Sequence, residues 1–309
     1  MFPFGTRLVP PARLPRPVRP FHGETLASYL YRLAIANQLH PDDLGAHLTG
    51  TRRARAPITL HGLAAATGRS PRSLGHALPE LRPASTPTAH PPEPLLTRRR
   101  VCRHCAARRD AFRFASTWQP PEVNICPTHR IWIGPPVRGL GVAQLDVSGV
   151  PEILHAQRRH YRLARRHGRR TAADAFAEAA HITALWARHA FYDRGRARLI
   201  RALVDPAPLT GRLRHGDPVT PVVTYPQTID LARVLAMPYW RRPASGDTDD
   251  LPRFQQHIDA HLGIEYHPEN SHYDPLFGWF TKHHDPNAAV RRPASPSVRH
   301  RGDHRVPQI

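Results

Sequence analysis

Apolar positions between residues 24 and 37 recur at helical spacing. Leu26, Tyr29, Leu30, Leu33 and Asn37 share one face, Glu24-Thr25 opens the run and Pro41 closes it. A second short helix is predicted over 42–50, closed by Gly50. In residues 58–81, Leu60, Leu63 and Ala64 make one apolar face. After Gly68 a second face follows at Leu74, Ala77 and Leu78, and Ser70-Pro71 is a helix start with proline at the first helical position. Two short helices around a glycine turn form a helix-turn-helix pattern, which any antiparallel helix pair shares. From Val150 to Leu203 the pattern is again helical, with Ile153, Leu154 and Tyr161 on one helix and Phe176, Ala180, Leu185 and Trp186 on the next. Segments 226–240 and 252–264 predict two more helices. No internal repeat is visible.

The periodicity changes in between. Phe112, Phe114, Ser116 and Trp118 alternate as one strand face does, Pro120-Pro121 supplies a turn, and Val123 and Ile125 alternate on the way back. This predicted hairpin lies between Cys102-x2-Cys105 and Cys126-x2-His129, the spacing of two metal knuckles. Three thiolates and an imidazole close a tetrahedral zinc shell, so the expected ion is a single structural Zn2+ in a zinc ribbon. His104, inside the first knuckle, competes for the fourth position. A redox Cys-x-x-Cys pair is the other reading of the first knuckle, and the second knuckle argues against it. The chain has 3 cysteines, all within this stretch, which favours metal over disulfides.

The expected fold is therefore mainly α with a small β zinc ribbon. Its parts are an extended Pro/Arg-rich arm (1–20), a helix-turn-helix-like helical domain (21–81), a linker (82–97), the ribbon (98–137), a helical C-terminal domain (138–285) and a disordered basic tail (286–309). The 35 prolines suit a chain with several stiff connections.

Charge then narrows the partners. The formal net charge is +20, and Lys282 is the single lysine among 44 Lys+Arg residues. Arginine forks match phosphates and guanine edges, so nucleic acid is the expected partner. The candidate contacts are Arg69 and Arg72 at the start of the second helix of the pair, and Arg98, Arg99 and Arg100 before the first knuckle. A helical stripe of Arg158, Arg162, Arg165 and Arg166, continued by Arg169, completes them. Arg52, Arg53 and Arg55 form a further basic run. The first residues do not read as a signal peptide and no apolar run spans a bilayer, so a cytoplasmic protein without membrane contact is expected.

Two stretches resemble the TniQ family of transposition accessory proteins. Residues 14–34 read LPRPVRPFHGETLASYLYRLA, similar to the family's Pro-rich arm and Gly-Glu-Ser/Thr-Leu-x-Ser opening. Val101-Cys-Arg-His-Cys105, Phe112-Arg-Phe114, Trp118 and Ile125-Cys-Pro-Thr-His129 are similar to its Cys-x-x-Cys, aromatic-Arg, Trp, Cys-Pro-x-His series. Arg103 replaces the usual proline, and no cysteine follows the second knuckle. The resemblance implies a non-enzymatic adaptor that helps choose a transposition target. It also implies that the adaptor passes that choice to a transposon ATPase and a DDE transposase, or docks on another targeting complex, with a homodimer left open. A DNA-reading helix would fall at about 70–78.

No phosphate loop, nucleophile elbow or dinucleotide fingerprint is present. Two other functions compete with the adaptor. One is a stand-alone zinc-ribbon/helix-turn-helix transcription regulator. The other is a metal-dependent nuclease built on His267, His272, His283, His284 and Asp274, whose spacing matches no established ligand set.

Overall fold

The computed structural model describes residues 11–51, 57–82, 95–111, 115–135, 144–192, 195–203, 219–241, 250–267 and 274–284. The Arg52, Arg53 and Arg55 run, Phe112, Phe114, His272 and the 286–309 tail lie outside them. The chain divides into two compact units, residues 1–236 and 237–309. That division falls inside the segment expected as one C-terminal helical domain.

The first unit begins with four helices, α1 (Leu26–Ala36), α2 (Pro41–Thr49), α3 (Leu60–Thr67) and α4 (Pro71–Ala77). Hydroxyl side chains cap three of them, and the His40 ring caps α2 by accepting from Asp42 N–H. Thr25 Oγ1 accepts from the Ser28 N–H, Thr59 Oγ1 from Gly62 and Ser70 Oγ from Ser73. Pro41, read as a stop, is the first residue of α2, where its missing N–H costs no helical bond. Gly68 turns the chain between α3 and α4 at φ +65°, and the Arg13 guanidinium occupies the space a β-carbon there would need. The apolar stripes meet in one cluster of Leu14, Tyr29, Leu33, Leu44, Leu63 and Leu74, all buried. Each such leucine contributes about 1.5–3 kcal/mol by leaving water. Helices α3 and α4 thus stand on either side of Gly68.

A small sheet follows, and its pairing differs from the expected hairpin. Strand β1 (Thr97–Arg100) runs antiparallel to β2 (Ser116–Gln119), with Arg98 opposite Trp118. The partner of β2 therefore precedes the first knuckle, and the short helix α5 (Arg103–Ala107) lies between them. On its other edge β2 receives residues 23–25, where the Thr25 N–H donates to Ser116 O (2.9 Å) and Trp118 N–H to Gly23 O (2.7 Å). The expected return strand 123–125 is unavailable because its backbone groups bond elsewhere. Val123 N–H closes a turn onto Pro120 O, Asn124 N–H donates to Gln157 Oε1, and Asn124 O accepts from Ile133 and Gly134.

The rest of the first unit is a helical bundle of α6 (Pro151–His167), α7 (Arg169–His189), α8 (Arg196–Leu203), α9 (Thr220–Val223) and α10 (Tyr225–Leu235). Buried alanines of α7, among them Ala175 and Ala179, keep that face slim, and Thr183 Oγ1 meets Thr228 Oγ1 of α10 at 2.7 Å. Trp186, Tyr225 and Ile229 are almost wholly buried.

The second unit holds α11 (Pro238–Arg241), α12 (Asp250–Leu262) and α13 (Pro275–His284), the last not anticipated from sequence. Its core is aromatic, with Trp240, Phe254 and Phe280 in mutual contact. The histidines there serve this core. His283 stacks on Trp279 at 4.2 Å, and His284 stacks on Phe280 at 4.8 Å and contacts Trp240 O at 3.0 Å.

Candidate metal centre

The first knuckle is built by the β1–α5 junction. Cys102 is the N-cap of α5 and Cys105 lies one turn along it, so both sulfurs face the same way. The second is a tight turn in which Cys126 N–H donates to Ile131 O (2.8 Å) and Arg130 N–H to Cys126 O (2.9 Å). Arg130 takes the left-handed φ of +53° that this turn demands.

The ligand atoms of Cys102, Cys105, Cys126 and His129 all lie within 4.8 Å of one another. His129 Nδ1 is 3.6 Å from Cys102 Sγ, 3.3 Å from Cys105 Sγ and 3.8 Å from Cys126 Sγ, and the Cys105 and Cys126 sulfurs are 3.8 Å apart. Zn–S bonds of about 2.3 Å and Zn–N bonds of about 2.0–2.1 Å, set tetrahedrally, give edges of roughly 3.6–3.8 Å. The set therefore fits one ion of that size. His104 is exposed and stands outside the set, its ring 5.2 Å from that of His129. Burial, followed by the neighbouring Cys126, pushes the Cys105 thiol up to about 12, and burial raises Cys102 as well. Thiols so placed resist ionising unless a cation shares the site. Among the described residues no other group of three or more His, Cys, Asp or Glu can hold a metal, so His267, Asp274, His283 and His284 form no second centre.

The centre is tied to the helices on both sides. Glu24 is fully buried and grips Arg32 through two bonds, at 2.9 Å to Nε and 2.7 Å to Nη2. The same carboxylate accepts from Phe21 N–H and from Ser28 Oγ, and Ser28 Oγ accepts from Ser116 N–H of β2. The Gly-Glu-Thr-Leu-x-Ser stretch thus welds α1 to the sheet. Gly23 is required there, since it lies at φ +70° and a β-carbon would come within 3.0 Å of Trp118 O. On the other side a buried polar network joins Asn124 to α6 and α10. His160 Nδ1 lies 3.3 Å from Asn124 Nδ2 and 3.1 Å from Tyr225 Oη, and the tyrosine donates to Gln157 Oε1. Arg169 closes the edge by donating to Glu122. None of these four network residues was singled out from sequence, since isolated polar residues in apolar stripes carry no spacing signal.

The candidate nucleic-acid contacts fall into two groups. Arg158, Arg162, Arg165 and Arg166 are exposed along one face of α6, and Arg72, Arg98 and Arg100 are exposed elsewhere. Arg99 turns inward on the alternating strand and donates to Pro121 O and Asn124 Oδ1, with burial lowering its pKa. Arg69 is half-buried and donates to Val18 O, holding the N-terminal arm. No described helix is long and apolar enough to cross a membrane.

Residues 15–132 match the family model TniQ, so this stretch is a TniQ domain, of a family associated with transposition. No curated protein and no solved structure matches the chain.

Proposed function

We propose that this chain is a non-enzymatic, DNA-binding adaptor that helps select the target site in DNA transposition. In this reading it links that site to the transposon ATPase and DDE transposase, or to another targeting complex. The TniQ match over residues 15–132 carries the reading. The ion is Zn2+, held by Cys102, Cys105, Cys126 and His129. The donor set of three sulfurs and one imidazole, gathered within 4.8 Å, favours zinc over hard cations. Four protein donors leave no open position for a reacting water, so bound zinc shapes the chain and activates no nucleophile.

DNA lies along the exposed α6 face, where Arg158, Arg162, Arg165 and Arg166 succeed one another at spacings that suit a phosphate backbone. Arg72, Arg98 and Arg100 are the further contacts. Arg69 and Arg99, both bonded to backbone oxygens, hold the fold instead.

Selection of random duplex DNA by the purified zinc-loaded protein, with competitor present, tests the reading together with association with the element's ATPase. Binding that weakens steeply with salt is expected, and each of Arg162→Ala and Arg166→Ala should lower the salt slope by about 1. A wild-type protein that associates with neither DNA nor the ATPase would exclude the adaptor.

A further inference from the structure

A cleft of about 730 Å3 opens beside the metal centre, between the N-terminal arm, the end of α1 and the end of α5. Neither the metal site nor the arginine face of α6 uses it. Its wall is aliphatic, formed by Pro17, Val18, Ile35 and Ala36, and its rim is cationic. Two of the arginines that line it are already engaged. Arg32 is bound to Glu24 and to Arg19 O, and Arg109 donates to Pro20 O while covering the ring of Phe21. Arg19 and Arg108 stand exposed at the rim, where Asp110 is the one acidic residue.

Ile35 leaves 52% of its surface in water, and Tyr31, one turn earlier, 37%. Among the described residues four large hydrophobic side chains are this exposed, and two of them share this face of α1. An exposed isoleucine in a concave site bordered by arginines marks a binding surface more than a solvated helix face.

We infer that this cleft docks an acidic peptide segment of a protein partner. An apolar side chain of the segment packs on Ile35, Val18 and Pro17, and its carboxylates pair with Arg19 and Arg108. Charge complementarity selects the occupant, because a carboxylate accepts the two parallel N–H groups of a guanidinium. A single-stranded nucleic acid suits the cleft poorly: no aromatic side chain lines it for a base to stack on, and the nearby Phe21 ring is already covered by Arg32 and Arg109. The inference builds on the adaptor reading by naming how a protein partner is held.

The test pans the full-length, zinc-loaded chain against a display library of random linear peptides, and then measures the selected peptides on variants. Enriched peptides should combine Asp or Glu with Leu, Ile or Phe. Their affinity should fall about tenfold or more in Ile35→Asp and in the double variant Arg19→Glu/Arg108→Glu. It should fall less in the milder Ile35→Ser and stay unchanged in Arg162→Glu on α6. Zinc content and circular dichroism check that each variant is folded. Three results overturn the inference: no acidic–apolar consensus, affinity indifferent to both Ile35 variants, or loss of duplex DNA binding in their place. In each of those cases wild-type binding to DNA and the ATPase leaves the adaptor standing. Absence of both sinks the adaptor whatever the peptides do.

Discussion

The metal-centred segment and the α6–α7–α10 bundle lie in one compact unit but are held together by different physics. Around the metal the apolar clusters are small: Phe21 with Ala106, Ala111 and Ala115, and Cys102 and Cys126 with Ile131. A core of that size does not repay the ordering of the backbone, and an ion held by the Cys102, Cys105, Cys126 and His129 set would make up the difference. The bundle buries Ile153, Ala156, Ala187, Val222, Tyr225 and Ile229 in one larger cluster and needs no ion. The two systems interlock, because Ile125 and Trp132 flank the second knuckle yet belong to the bundle's core, with Trp132 edge-on to Tyr225 at 5.0 Å. The difference predicts that the Cys/His segment depends on an ion for its order, whereas the bundle depends on packing.

The largest effect should come from the metal. Stripping it with a chelator, or replacing Cys126 by Ser, removes a contribution on the order of 10 kcal/mol. Hydrogen exchange should then lose its protection over 95–111 and 115–135 while α7 and α10 keep theirs. Equal collapse of both regions would break the comparison and make the unit one cooperative block.

The next effect sharpens the boundary on the α1 side. Glu24→Ala leaves Arg32 buried without its partner, which should cost about 3–5 kcal/mol in urea unfolding. Glu24→Leu combined with Arg32→Met should recover part of that loss, since the apolar pair avoids desolvating two charges but leaves the Phe21 N–H and the Ser28 hydroxyl without the Glu24 acceptor. A loss below about 1 kcal/mol in the single variant would mean that the backbone bonds between 23–25 and β2 suffice to hold α1.

Much of this was legible in the sequence because it depends on local spacing. The helical stripe of Leu26, Tyr29 and Leu33, the glycine turn at Gly68 and the two knuckles at Cys102 and Cys126 each announce themselves within a few residues. What escaped depends on distant partners. Thr97-Arg-Arg-Arg100 reads as a basic run, and only the pairing with β2, which turns Arg99 inward, makes it a strand. Val123–Ile125 alternates as a strand does, but its hydrogen bonds go to α6 and to the chain beyond the knuckle. Helix α13 was hidden because its histidines suggested ligands, where they are ring partners of Trp279 and Phe280. The stripe of arginines on α6 is exposed, as its spacing implies, while Arg69 shows that a position in a motif does not decide where a guanidinium points.

The smallest effect concerns the seam between the two systems, at His160. Burial, helped by Arg99, pushes this imidazole down from its ordinary 6.5 to about 3. As pH falls through 6.5 the unfolded chain takes up a proton there, whereas the folded chain does not until about 3. The stability contributed by keeping His160 neutral is therefore fully present above 6.5 and is lost progressively as pH falls. Between pH 7 and pH 5 the loss should be about 2 kcal/mol. Metal binding depends on pH in its own right, so the wild-type profile alone mixes the two causes. His160→Gln separates them: it keeps polar groups near Asn124 and Tyr225 but has nothing to titrate, and it leaves the four-donor set unchanged. The difference between the two stability–pH curves should then slope by about 1.4 kcal/mol per pH unit between roughly 3.5 and 6, the value for one proton. A flat difference would mean that His160 is hydrated or protonated in the folded chain. The seam would then be wetter than its packing against Phe176, at 4.5 Å between ring centres, implies.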